Sequence, residues 1–234
     1  MNINTKVYWE KRFRTGDWEA KLGREQTTLY AQTHVHYLKI RSDFSGKILD
    51  FGCGLGDAIP VYRNAFKYAS LIGWDISKAA IMKSRERYGN IAEFSYGDYT
   101  DIPQVDIIIA SHVFEHLSKD VKIAEHLLTK CRDLYVITPY RETLTPGTEH
   151  INSYDEDYFR ALGQYNYTLL FSTFWGPHGW HLWLNQYPKN VIRLFLGKQI
   201  VRRKKQIMFH FSNGTHTEGA DSIGKNARIT AVRE

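Results

Sequence analysis

Residues 47–57 read KILDFGCGLGD. A short apolar run ends in an acid and passes into a loop with glycine at 52, 54 and 56. Glycine lets a chain turn tightly and approach a ligand closely. The stretch from 58 to 66 then reads as helix, whose first turn presents free N–H groups and the positive end of its dipole. Strand, glycine turn and helix in that order describe the opening unit of an α/β sheet.

The pattern repeats down the chain. LIGWD (71–75) predicts a second strand, and Ser77 a cap for the helix after it. Residues 92–96 predict a third strand. VDIIIAS (105–111) is continuously apolar, as expected of a strand buried on both faces. An amphipathic helix is expected over 120–130 and a fifth strand over 134–138. Ser153, with Glu156 three positions on, has the form of a capping box for a helix ending near 162. Further strands are expected at 167–175, 207–211 and 227–232, around a polar, Gly-rich loop at 212–226. Strands alternating with helices indicate a doubly wound α/β fold with a largely parallel sheet. Such folds bind ligands at the carboxyl ends of their strands.

Composition narrows the function classes. The 234 residues are 43% hydrophobic, with no apolar run long enough to span a bilayer. No apolar leader follows the initial Met, and two cysteines, Cys53 and Cys131, make no disulfide framework, so a reducing cytoplasm is expected. The net charge of +6 is localised. Residues 158–217 hold Arg160, Lys189, Arg193, Lys198, Arg202, Arg203, Lys204 and Lys205 and no acid. Three of the six Trp (Trp175, Trp180 and Trp183) lie there too. The segment reads either as a solvated basic face or as a cap for an anionic or aromatic ligand.

Three acids sit where strands end. Asp50 precedes the glycine loop. Asp75 closes the second strand, 19 residues after Gly56, where a carboxylate suits paired ribose hydroxyls. Asp98 follows the third, in YGDY, where it can accept from an exocyclic amine. ILDFGCGLGD, GWDIS, YGDYTDIP and IIIASHVFEHLSK, in this order and spacing, resemble the class I S-adenosylmethionine-dependent methyltransferases. The likeness is greatest to the small-molecule branch with E-H-L after strand four. It covers about residues 45–140, and YWEKRF (8–13) is similar to the start of many such enzymes.

The resemblance implies a Rossmann-like, seven-stranded, mostly parallel sheet with helices on both faces. It implies S-adenosylmethionine as cofactor. Gly52, Cys53 and Gly54 would lie along its methionine and ribose part, with Asp50 orienting the loop or reaching the amino group. Asp75 would take the ribose, Ile76 the adenine face, and Asp98 with Tyr99 the adenine edge. Ser111 and His112 would line the methyl-donor end. Tyr8, Trp9 and Arg12 would close over the ligand. The implied organisation is an N-terminal helical lid (1–44), a binding core (45–175 and 206–234) and a basic, Trp-rich acceptor insertion (176–205).

A hydroxyl acceptor favours a histidine base titrating near neutrality. His150, in TEHIN beyond strand five, is the first candidate, and His116 and His178 follow. His112 to His116 also spell H-x-x-E-H, a zinc-protease pattern. The match begins directly after an apolar strand and lacks the long helix that pattern needs, so no metal is expected. Glu115 and His116 read instead as a structural pair or part of the acceptor pocket.

No Asn-Pro-Pro-Tyr or Asp-Pro-Pro-Tyr follows strand four, which argues against amino methylation of adenine or cytosine in nucleic acid, and no Pro-Cys, which argues against carbon-5 cytosine chemistry. The leading expectation is O-methylation of a small molecule or of a glycan or phosphate-bearing surface-polysaccharide precursor, with an anionic acceptor. An RNA acceptor and a non-catalytic binding or partner protein of the same fold are the alternatives. No membrane span is expected. Residues 190–205 could form an amphipathic surface helix for peripheral association, although packing on the domain core is the simpler expectation.

Overall fold

The computed structural model describes residues 3–172, 180–198 and 204–213, with the backbone alone for 180–187. The sheet has seven strands in the order β3-β2-β1-β4-β5-β7-β6. They are β1 (Lys47–Phe51), β2 (Ser70–Asp75), β3 (Glu93–Tyr96), β4 (Ile107–Ser111), β5 (Asp133–Pro139), β6 (Asn166–Phe171) and β7 (Lys205–Ser212). β1 to β5 run parallel, and β7 is antiparallel to both β5 and β6. The expected fold class is therefore the observed one.

The apolar runs are continuous because both faces of the sheet are covered. In β1, Leu49 packs into one core and Ile48 into the other. β4 divides likewise, with Ile108 and Ala110 on one face and Ile107 and Ile109 on the other. Helix α6 (Asp120–Leu128) covers the first face with Ile123, Ala124 and Leu127. The second is covered by Ile59 and Tyr62 of α4 (Ile59–Ala65), Ile81 of α5 (Lys78–Tyr88) and Ala31 of α3 (Gly23–His34). Burying each of these Ile and Leu side chains contributes about 1.5–3 kcal/mol. Ser77 caps α5 as expected, its hydroxyl accepting from the Ala80 N–H at 3.1 Å.

The N-terminal segment is helical in pieces: α1 (Lys6–Arg14), α2 (Asp17–Ala20) and α3. Residues 35–44 are not helical. Phe13 of α1 packs with Leu55 and Ala80, so the segment is anchored on the glycine turn and the start of α5.

Three expectations fail. No α-helix forms over 153–162: the segment is a bridge at Tyr154, a turn and a 3-10 turn at Arg160–Leu162. Ser153 donates its hydroxyl to the Glu142 carbonyl, and Glu156 accepts from Tyr140 and Arg141. Both ends of the apparent capping box are committed elsewhere, and the acids at 155–157 open no helix. Within the basic, Trp-rich segment lies a helix, α7 (Trp180–Phe195). Its C-terminal end does not pack on the core, because Ile192, Leu194, Phe195 and Leu196 are all exposed. Finally, the sixth strand stops at Phe171, short of the expected 175. The strand expected at 227–232 lies outside the described residues, as do Ile200, Arg202 and Arg203. No helix among the described residues is long and apolar enough to cross a membrane.

Candidate functional site

The sheet reverses its winding between β1 and β4, and the carboxyl ends of these strands open into a cavity of about 960 Å³. The glycine turn forms its floor. Gly52, Gly54 and Gly56 all take left-handed φ, at +72°, +52° and +77°. A Cβ on Gly52 would come within 2.4 Å of Val113 Cγ2, so at this position backbone alone fits. Asp75 holds the turn: its Oδ2 accepts the Gly54 N–H at 2.9 Å and its Oδ1 the Ser77 N–H at 2.8 Å.

Two buried acids face this cavity from neighbouring strands. Burial, reinforced by the charge of Asp75, pushes the Asp50 carboxyl up to about 7. Burial raises Asp75 to about 6, against the pull of the N–H groups of Ser77 and Gly54. The pocket floor thus favours cationic or hydroxyl-bearing ligand groups, which restore the solvation these acids lose.

The opposite wall is built from the turn after β4 and the loop after β5. Phe114–His116 is a 3-10 turn. His112, just before it, has φ +55°, a strained conformation for a residue bearing a Cβ. Tyr30 of α3 stacks on the His112 ring at 4.1 Å. His112 Nδ1 donates to Glu115 Oε1 at 3.0 Å. Glu115 is fully buried, yet its carboxyl is held below the usual range, because the hydrogen bond from His112 and the nearby His116 and His150 outweigh desolvation. His116 Nδ1 donates to the Glu149 carbonyl at 3.0 Å, and burial lowers this ring's pKa. His150 Nδ1 bonds to the Glu142 carboxylate. Burial lowers the His150 pKa, but the bond to Glu142 and the surrounding acids outweigh it and raise it. That bond, reinforced by Lys204, draws Glu142 down to about 2. The Glu149 carboxylate meanwhile receives Arg12 and the Tyr8 hydroxyl, fastening α1 across the loop.

Of the residues expected at the cofactor, Trp9, Arg12, Asp50, Gly52, Cys53 and Asp75 line the cavity. Ile76, Asp98, Tyr99, Ser111 and His112 line it too. Gly54 and Tyr8 do not: Gly54 lies behind the turn against Phe13, and Tyr8 borders a smaller depression beside Glu149. Asp98 also serves as a turn cap, with Oδ1 accepting the Thr100 N–H at 3.3 Å. His116 and His150 stand together on the cavity wall, ring centroids 5.0 Å apart. His178 lies outside the described residues.

Sequence reading missed Glu142 and Glu149, which sit in a loop without a motif. It also missed His34. This ring is fully buried, bonded to Ser111 Oγ at 3.2 Å and Gln206 Oε1 at 2.7 Å, and burial presses its pKa to about 3. It joins α3 to the ends of β4 and β7. A buried polar residue in a helix of otherwise mixed pattern gave no signal of this.

Comparison with known proteins adds four findings. Residues 49–135 match a family model described as a methyltransferase domain. The plantazolicin methyltransferase BpumL, solved with a triazolic desmethylPZN analog and SAH, superposes with a TM-score of 0.59 at 16% identity. That match covers 89% of this chain and 95% of that one. The [4+2]-cyclase SpnF superposes at 0.53 with 14% identity, covering 76% of this chain and 80% of that one. A complex of the Haloferax volcanii Trm112 methyltransferase activator with a methyltransferase gives 0.50 at 18% identity. There the match covers 57% of this chain and spans 61% of that one. At these identities the likeness is one of fold, and the cyclase shows that the fold serves more than one chemistry.

The cavity fits the cofactor named by these comparisons. The floor excludes a Cβ at Gly52, and two buried acids face a ligand that carries a sulfonium, an ammonium and a ribose. Residues 49–135 thus resemble a methyltransferase domain, and S-adenosylmethionine is the cofactor that this likeness implies.

Proposed function

We propose that the protein is an S-adenosylmethionine-dependent O-methyltransferase. Its acceptor would be a small anionic molecule or a phosphate-bearing glycan, such as a surface-polysaccharide precursor. The observation that carries this reading is the shared cavity. The acid floor of Asp50 and Asp75 and the two-histidine wall of His116 and His150 open into one space, and Lys204 and Lys205 line it as well.

The cofactor supplies a methyl group on a sulfonium. Its transfer to a hydroxyl forms the O–CH3 bond, returns the S–C electron pair to sulfur and releases one proton. The chain's part is to align the acceptor and to receive that proton. His150 is oriented for this by Glu142, and His116 by the Glu149 carbonyl. The lysines supply charge for a phosphate or carboxylate on the acceptor. Cys53 and Cys131 are free and buried, which suits a reducing cytoplasm.

The test is a screen of sugar, phosphosugar and phenolic acceptors, scored by mass spectrometry for one added methyl group. Charge reversal at Lys204 and Lys205 should raise acceptor KM and leave S-adenosylhomocysteine affinity unchanged. A methylated acceptor whose KM ignores both substitutions would remove the anionic assignment. Failure to bind S-adenosylmethionine by calorimetry would favour a non-catalytic protein of this fold, and steeply salt-dependent acceptor binding an RNA.

A further inference from the structure

The wall of the cavity has a second property. One potential ligand atom from each of Glu115, His116 and His150 lies within 4.8 Å of the other two. We propose that these three residues hold a divalent first-row transition-metal ion, with an open coordination position facing the cavity.

Hydrogen bonds decide which atoms are free. A carbonyl oxygen only accepts, so the contact with the Glu149 carbonyl requires the proton of His116 on Nδ1. The neutral ring then keeps its lone pair on Nε2. His150 gives its Nδ1–H to the Glu142 carboxylate, which leaves Nε2 free in the same way. Glu115 uses Oε1 for His112, while its buried Oε2 has no hydrogen-bond partner. A fully buried carboxylate oxygen without a partner is costly, and a cation would relieve it.

The surroundings are those a metal site requires. Ligating histidines usually donate their second nitrogen to a carboxylate or a carbonyl, which fixes the tautomer and the ring orientation. Here His150 has the carboxylate and His116 the carbonyl. The strained His112 backbone and the 3-10 turn place Glu115 beside both rings. Two imidazoles and one carboxylate suit zinc, cobalt, manganese or ferrous iron, and suit the oxygen-seeking Mg2+ and Ca2+ poorly.

The H-x-x-E-H spelling misleads about the architecture. His112 is not among the three residues whose ligand atoms come together. The third ligand comes from the loop after β5. Sequence reading set the metal aside because the helix of a zinc protease was missing, and a 3-10 turn with a distant loop histidine answers that objection differently.

This inference goes beyond the methyl-transfer reading and is argued from the ligands alone. If that reading also holds, an acceptor oxygen in the open position would be favoured in its deprotonated form. The hydroxyl proton would then leave to solvent before the transfer, and the two rings would act as ligands in place of the proton-accepting role given them above.

The experiment titrates the metal-stripped full chain with Co2+, followed by Zn2+ competition, in the presence of S-adenosylhomocysteine. No acceptor is needed, so a failed titration and a failed transfer assay are separate results. One Co2+ per chain should bind, with visible d–d bands, and excess Mg2+ should not displace it. Glu115→Gln keeps the side-chain volume, and His150→Asn alters a part-exposed ring on a loop. Each should weaken binding by roughly 100-fold while S-adenosylhomocysteine still binds. Glu142→Gln, one shell out, should weaken it by about 10–100-fold. Absence of saturable one-to-one binding, or equal affinity in Glu115→Gln and His150→Asn, would overturn the site.

Discussion

The Asp75 carboxylate accepts the Gly54 backbone N–H at 2.9 Å, so the end of β2 holds the glycine turn that follows β1. One side chain thus shapes the floor of the cavity and lines its interior. Asp75→Ala removes both functions. It leaves the N–H groups of Gly54 and Ser77 without this acceptor, at a cost of about 1–3 kcal/mol. S-adenosylhomocysteine affinity should fall by roughly 10–100-fold, from the loss of charged hydrogen bonds worth about 1.5–3 kcal/mol. Calorimetry measures the affinity and urea unfolding the stability. Unchanged affinity in a folded variant would remove Asp75 from the ligand contact.

Asp50 sets a pH dependence. Its folded pKa, about 7, lies above the ordinary 3.8, so between these values the native state binds more protons than the unfolded one. Its contribution to stability therefore falls as pH rises from about 4 to about 7 and is constant above that. His34 acts oppositely: with its folded pKa near 3, it costs stability as pH falls below 6.5. The wild-type curve sums the two. The difference between wild type and Asp50→Asn isolates the first, and the variant should gain relative stability between pH 5 and pH 8. A pH-independent difference would contradict the assignment.

Gly52→Ala tests the turn itself. The φ of +72° costs an L-residue about 1–2 kcal/mol, and the added Cβ meets Val113 at 2.4 Å. Overpacking adds roughly 1–3 kcal/mol. The melting temperature should fall, and Gly52→Ala with Val113→Ala should recover the packing part but not the backbone part. Full recovery would mean that the dihedral carries no strain.

Arg12 fastens α1. It reaches Glu149 in the loop after β5 while its guanidinium lies over the rings of Trp9 and Trp18. Arg12→Ala should shorten the residence time of S-adenosylhomocysteine by about an order of magnitude, through loss of a partly buried charged contact worth about 1.5–3 kcal/mol. It should also speed amide exchange over residues 6–14. Stopped-flow dissociation reads the first and hydrogen exchange the second.

The strands from 47 to 139 were legible because their period is local. Ile107, Ile108 and Ile109 alternate between two cores, and any sequence so apolar has to be covered on both sides. Asp50 and Asp75 were legible because strand ends mark one edge of the sheet. Ser153 and Glu156 misled because a capping box is also a pair of good hydrogen-bonding residues, and tertiary partners took both. Glu142 and Glu149 were illegible for a related reason. Their roles exist only once the loop after β5 meets α1 and the turn after β4, contacts separated by more than a hundred positions for Arg12 and Glu149. Tyr8 meets Glu149 and borders a smaller depression, a placement that its motif alone did not indicate.

Phe171 and Lys205 are cross-strand partners, so the chain leaves the sheet and re-enters it on the same rung. Whatever lies between them is hung from a closed hairpin whose ladder is complete without it. Such a segment is a cassette: it can be lengthened, shortened or exchanged between relatives with no rung of the sheet out of register. Lys204 and Lys205, at its returning end, are already on the cavity wall. Changes of length or sequence can therefore be confined to this one seam while the strands from β1 to β5 keep their register.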